Sequence, residues 1–224
     1  MPRFYLNTFK PLVYTASGRA AAERFSLPPF IDGSIRREPD LEHERPSISC
    51  LCRTNKFAPR LAVDDLVGYM TCKARYGSKI AHRRLIALLR VDMLFDNHEE
   101  AARWYRSQGL PLPSNCMVPG NKPCPLAHSH RICKSTCSDD KQMACGWDDN
   151  YARRARAYGR FVVCTCIWKD LVWSSPIIED EYLVRAFGKV PATRNPAALK
   201  TDGLSVLADG LGLKLPHGAP PSSP

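Results

Sequence analysis

Hydrophobic and polar positions divide the chain into short apolar runs, one clearly amphipathic helix and a long stretch with no period. An apolar start, RFYL, precedes a polar, alanine-rich stretch ending at SLPPFIDGS, where Pro28, Pro29 and Gly33 predict an ordered loop. SISCLC, residues 47–52, alternates as a strand does and would place Cys50 and Cys52 on one face. A turn at Asp64 and Asp65 leads into a strand over 66–71. Residues 84–95 form a long apolar run whose leucines and alanine also suit a helix; its length favours one long bent strand.

DNHEEAARWYRSQG predicts a helix: Asp96 or Asn97 caps it, Glu99 and Glu100 lie in its first turn, and Gly109 ends it. Trp104 and Tyr105 fall among alanines at helical spacing and read as core contacts. Residues 110–149 carry prolines at 111, 113, 119, 123 and 125 and no period, so something must order them. A short helix near 150–158, a strand FVVCTCIW, a helix EDEYLVRAFG and a marginal last helix LSVLADGLGL follow. The tail PHGAPPSSP reads as disordered. Cys164 and Cys166 share one face of their strand and read as packing residues. Several strands, few helices and long connections predict an α+β fold. The expected organisation is one domain over 1–190, with 110–149 as a Cys/His-rich and Pro-rich insert, and an extension over 191–224.

No run of about eighteen apolar residues occurs, which excludes a spanning helix. The first twenty residues lack the apolar segment of a secretory signal, so an intracellular, cytoplasmic protein is expected. Charge changes the picture more. Lys and Arg number 32 against 22 Asp and Glu, giving a formal charge of +10, which favours polyanionic partners, nucleic acid first. The excess is clustered in KARYGSKIAHRR, residues 73–84, and YARRARAYGR, residues 151–160, neither of which contains an acid. Lys73, Arg75, Lys79, Arg83, Arg84, Arg153 and Arg154 therefore read as phosphate contacts, with Tyr76 as a stacking platform. The alternative is a solvated basic loop.

PSISCLCRTNKFAPRLAVDDLVGYMTC, followed by HRRLIALLRVDMLF, resembles the core of PUA-like domains, small partly open β-barrels that bind RNA or modified bases. Within that group the chain is most similar to the nucleotide modification associated domains, found near enzymes that make hypermodified DNA bases. The likeness spans residues 28–96 and falls on Cys50, Cys52, Arg53, Lys56, Arg60, Asp65 and Gly68. Asp64 stands where those domains usually carry glycine, and RTNKFAPRL departs from their loop. The resemblance implies a partly open barrel with flanking helices and a groove that accepts a base or nucleotide beside cationic loops. It implies Arg53 and Lys56 as residues of that groove.

FIDGSIRRE points to a similar site from its own residue types. Arg36 and Arg37 can grip phosphate in a bidentate manner, while Asp32 and Ser34 can bond base or sugar edges. The alternative is an ordinary polar turn. The main expectation is recognition of nucleic acid or a modified nucleotide without catalysis, with a base-modification enzyme as a further partner. An enzyme or enzyme subunit acting on nucleotides, and a protein-interaction module, are the alternatives.

CPLAHSHRICKSTC raises a separate question. Cys124, His128, Cys133 and Cys137 are spaced C-x3-H-x4-C-x3-C, compatible with one tetrahedral structural zinc that would order the proline-rich stretch. His130 can replace His128 and Cys145 can replace a thiolate; free thiols and surface histidines are the alternative. The zinc deaminase pattern pairs H-x-E with P-C-x-x-C. Here Ser129 and His130 follow His128, and Pro123-Cys124 has no cysteine three residues on. The stretch therefore reads as a staple. Should the protein be an enzyme, Cys116 is the candidate nucleophile, with His98, His128 or His130 as its base.

Overall fold

The computed structural model describes residues 2–130, 147–192, 195–200 and 202–213. The α+β expectation holds: a mixed sheet curls into half a barrel and helices cover parts of its outer face. Strand β1 (Phe4–Phe9) runs parallel to β3 (Leu66–Thr71), which pairs antiparallel with β4 (Arg83–Phe95). Strand β4 pairs antiparallel with β5 (Phe161–Lys169), and β5 with the short β2 (Ser47–Ser49). A two-residue β6 (Ile177–Ile178) pairs with the first residues of β4. Register shifts at Leu88/Leu89 and Val91/Met93 interrupt the β4–β5 ladder, and such bulges tighten the twist that curls the sheet.

Strand β1 shows why this sheet is buried on both sides. Tyr5 and Phe9 face the concave core with Val67, Tyr69, Ile86, Leu89, Val162 and Cys164. Phe4 and Leu6 face the opposite cluster, with Met70, Leu88, Leu183 and Leu207. Asn7 is the polar exception, buried on the Tyr5 and Phe9 side. Gly68 permits this packing, since a Cβ there would lie 2.9 Å from Leu6 Cδ1. Asp65 accepts hydrogen bonds from Arg3 N, Arg3 Nη2 and Ala62 N, which ties together the starts of β1 and β3. Both residues, implied by the resemblance, thus serve the framework here.

Helix α1 (Ala16–Arg24) occupies the alanine-rich stretch, capped by Thr15 Oγ1 accepting from Gly18 N. Its propensity for helix was present in three consecutive alanines, but the surrounding polar residues conceal any apolar stripe. Helix α2 (His98–Ser107) is capped by Asn97 Oδ1, which accepts from Glu100 N at 2.8 Å. It buries Ala101, Ala102 and Tyr105 against Phe161 and Val163. Helix α3 (Trp147–Ala157) follows, and α4 (Asp180–Phe187) with α5 (Asp202–Gly210) covers the outer face of the sheet. Leu199 N donates to Phe4 O, so this end of the described chain joins the same body. SISCLC is a strand only through Ser49; Cys50 is buried and Cys52 exposed, because the chain then turns, with Thr54 N donating to Cys50 O. Among the described residues no helix is long and apolar enough to cross a membrane.

Candidate functional site

Residues 29–41 form no regular element yet are buried throughout. A buried irregular segment must find partners for its backbone polar groups. Here Phe30 N donates to Leu171 O and Gly33 N to Lys10 O, while Leu12 N donates to Ile31 O. Arg37 completes the set from inside. Its Nη1 donates to Asp32 O at 2.6 Å and Ser34 O at 2.9 Å, and its Nη2 to His128 O at 2.8 Å. With a side chain only 3% exposed, Arg37 is an internal brace of the loop.

Arg36 is used in the same way. Nε and Nη2 grip the two carboxylate oxygens of Asp148 at 2.6 and 2.7 Å. Its Nη1 donates to Ser114 O and Asn121 O, each at 3.0 Å. A bidentate arginine was expected, but its partner is an aspartate of the protein and not a phosphate. Arg36 and Arg37, expected to grip phosphate at the base pocket, are therefore corrected to structural residues.

The loop they brace closes one side of a cavity of about 410 Å³. Asp32, Ser34, Arg53 and Lys56 all line it, so two sequence segments that were singled out separately meet there. Asn7, Phe9, Ile48, Phe57, Tyr69 and Tyr151 supply buried walls. Lys10 and Lys56 are exposed at its edge, and Arg53 is half-buried with Nη2 donating to Thr8 O at 2.6 Å. His130 completes the wall: its amide donates to Gly33 O at 2.7 Å, and its carbonyl accepts from Thr15 and Ser17 hydroxyls. Gly33 has no room for a side chain, because a Cβ would fall 2.0 Å from His130 Nδ1.

Glu38, which the sequence did not single out, is the second buried acid of this cavity. Its Oε1 accepts from Ser49 N at 2.8 Å, and its Oε2 accepts from Ser49 Oγ and from Asn115 Nδ2 at 3.1 Å. Asn115 is oriented in turn by Ser47 Oγ, which donates to Asn115 Oδ1 at 2.7 Å. Burial pushes the Glu38 carboxyl up to about 7; the hydrogen bonds from Ser49 and Asn115 oppose this and the nearby Asp32 charge adds to it. Burial also raises Asp32, against the Ser34 amide and hydroxyl that donate to its Oδ1. The wall phenol of Tyr69 is driven well up by burial and then by the charge of Glu38. The cavity thus has an acidic, partly protonated interior and a cationic edge.

The residues expected to hold phosphates are scattered. Lys73 and Arg83 both bond Asp180, Lys73 at 2.8 Å. Arg84 Nη1 donates to Trp173 O and Ser175 O, and its guanidinium lies over Phe30 at 5.3 Å. Tyr76 is buried edge-on to Phe30 and His82, with its hydroxyl donating to Cys72 O, so its ring is closed to stacking. Arg75 and Lys79 are exposed on the β3–β4 connection. Arg153 is exposed and bonds Asn150 Oδ1, whereas Arg154 donates to Leu51 O beside the cavity.

Cys116 is fully buried, its thiol donating to His98 O, and burial pushes it up to about 12. A thiol so placed is a poor nucleophile. His98, the nearest base candidate, accepts from Met117 N at Nδ1, and burial followed by the Arg36 charge lowers it to about 4. It lines a second cavity of about 740 Å³ with Arg36, Asp148, Lys122 and Arg156. Of the expected zinc ligands, Cys124 donates its amide to Ile35 O and His128 packs its ring against Phe25 at 4.3 Å. Cys133 and Cys137 lie outside the described residues, as does Cys145. Among the described residues no group of three or more His, Cys, Asp or Glu is arranged to hold a metal.

No protein-family model matches this chain, and neither a characterised protein nor a solved structure is significantly similar to it.

Proposed function

We propose that this chain is a PUA-like recognition protein whose cavity takes the base of a nucleotide, free or within nucleic acid, without catalysing a reaction. Lys10, Arg53 and Lys56 hold the phosphate at the edge, while Asp32, Ser34 and Glu38 read the base within. One observation carries this: cations, two buried carboxyls and aromatic walls from five separate chain segments converge on one cavity of about 410 Å³. That volume falls in the range of about 300–1,000 Å³ usual for small-ligand sites. Tyr69, Tyr151, Phe9 and Phe57 supply faces or edges suited to a flat heterocycle. The resemblance of residues 28–96 to nucleotide modification associated domains supports the same ligand class, and the partner it implies is a base-modification enzyme. A thiol held protonated at Cys116 disfavours the nucleophilic alternative.

The test is fluorescence anisotropy with a short labelled single-stranded oligonucleotide across a salt series. Three phosphate contacts predict a slope of log affinity against log salt of about −2. Replacing Lys10 and Lys56 together by Ala should weaken binding and flatten that slope by about 1.4. Binding that ignores both salt and these substitutions would refute the proposal.

A further inference from the structure

We propose that the protein prefers a single strand of nucleic acid over a free nucleotide, and that Trp173, Arg75 and Lys79 form a second subsite for the strand leaving the cavity. This rests on the nucleotide-binding reading above and names its substrate class. Short contacts lead from the cavity to that subsite. Pro11 pairs with Asp32, and Cys72 N donates to Phe9 O, so the wall that carries Lys10 adjoins the start of the β3–β4 connection. Cys72, itself a wall residue, accepts a hydrogen bond from the Tyr76 hydroxyl. Phe30, just ahead of Asp32 in the same loop, has Tyr76 edge-on at 5.7 Å and Trp173 edge-on at 5.0 Å.

Trp173 is 50% exposed and yet fixed in place. Its carbonyl accepts from Arg84 Nη1 at 2.9 Å, and the Arg84 guanidinium lies 5.9 Å from its ring centre. An indole held in this way offers a base a stacking surface that needs no further ordering. The basic loop beside it is pinned as well. Ala74 and His82 exchange backbone hydrogen bonds at its base, and Tyr76 accepts a φ of 29° to keep its ring buried. Arg75 and Lys79 are exposed on this loop, and residues 73–84 contain no acid. Asp180 is taken up by Lys73 and Arg83, and Asp170 accepts from Val172 N and Ser174 Oγ. Two exposed cations beside an exposed aromatic suit phosphates and an unstacked base, which favours a single strand over a protein partner.

The experiment is fluorescence anisotropy of the full chain with a labelled deoxycytidine trinucleotide and a labelled deoxycytidine strand of about ten nucleotides, across one salt series. The trinucleotide fills the cavity edge and keeps the slope of about −2; the longer strand engages two further cations and should give about −3.5. It should also bind about tenfold or more tightly. Trp173→Ala should remove about that factor from the longer strand and leave the trinucleotide unchanged, which also shows that the variant folds. Trp173→Phe keeps a stacking ring and should restore most of the affinity. Arg75→Ala with Lys79→Ala should return the slope to about −2. The inference is overturned if both ligands bind alike, or if these substitutions spare the longer strand or weaken both ligands equally. A protein-docking role for Trp173 would give the first of those results. In each case the nucleotide reading stands as long as the Lys10 and Lys56 replacements still weaken trinucleotide binding. If neither ligand binds, both fall together.

Discussion

Replacing Glu38 by Gln removes a titrating group from the centre of the cavity while keeping the side-chain shape. Moving this carboxyl from 4.5 to about 7 is worth about 3 kcal/mol, at about 1.4 kcal/mol per pH unit. An acid whose folded value lies above its unfolded one takes up a proton on folding, so its contribution is present below about 4.5 and is lost as pH rises through about 7. Asp32, also raised by burial, acts in the same direction. His98 acts oppositely. Lowered from 6.5 to about 4, it sheds a proton on folding, and its contribution is lost as pH falls through that window. The native protein's own pH profile therefore contains opposed slopes, from Glu38 and Asp32 on one side and His98 on the other. The difference between Glu38→Gln and the native chain separates them, since His98 is common to both. Urea unfolding at pH 4.5, 5.5, 6.5 and 7.5 should show the variant gaining about 3 kcal/mol on the native protein from the lowest to the highest pH. A difference that stays constant to within about 0.5 kcal/mol would mean that Glu38 is not held out of water, and the acidic interior would be wrong.

Arg37→Met leaves the carbonyls of Asp32, Ser34 and His128 without their donor in a buried loop. A loss of about 3 kcal/mol is expected in chemical denaturation, and a loss under about 1 kcal/mol would contradict the bracing role. Gly33→Ala forces His130 off the cavity wall and should cost about 1–3 kcal/mol; unchanged stability would show that His130 does not sit there. A structural zinc on Cys124, His128, Cys133 and Cys137 predicts about one equivalent per chain in elemental analysis of protein purified without added metal. Less than about half an equivalent, with no loss of stability on chelation, rules the staple out.

Elements with a strong local period were legible from the residues alone. The long β4 run, the FVVCTCIW strand and the capped helix after Asn97 all appear where their patterns put them. Cys164 and Cys166 do pack on the concave core. The cavity was legible only in part. Asp32, Ser34, Arg53 and Lys56 carried recognisable chemistry, but Arg36 and Arg37 have the same chemistry and spend it on Asp148 and on backbone carbonyls. Residue type does not say whether a guanidinium faces a ligand or its own chain; only the fold brings Asp148 to Arg36, 112 positions away in sequence. Glu38 and Asn7 had a weaker signal, a polar residue amid a buried loop or strand, which has meaning only once burial is known. Basic clustering misled most at Lys73 and Arg83, because Asp180, their common partner, lies about a hundred residues on.

Amide chemical-shift mapping by NMR during titration with dCMP tests the central claim most directly. Recognition in this cavity predicts saturable shifts at residues 7–10, at Gly33 and Ser34, and at 52–56, with little change at 75–80 and 153–156. Shifts confined to those two exposed basic segments, or none in the cavity at millimolar nucleotide, would contradict it.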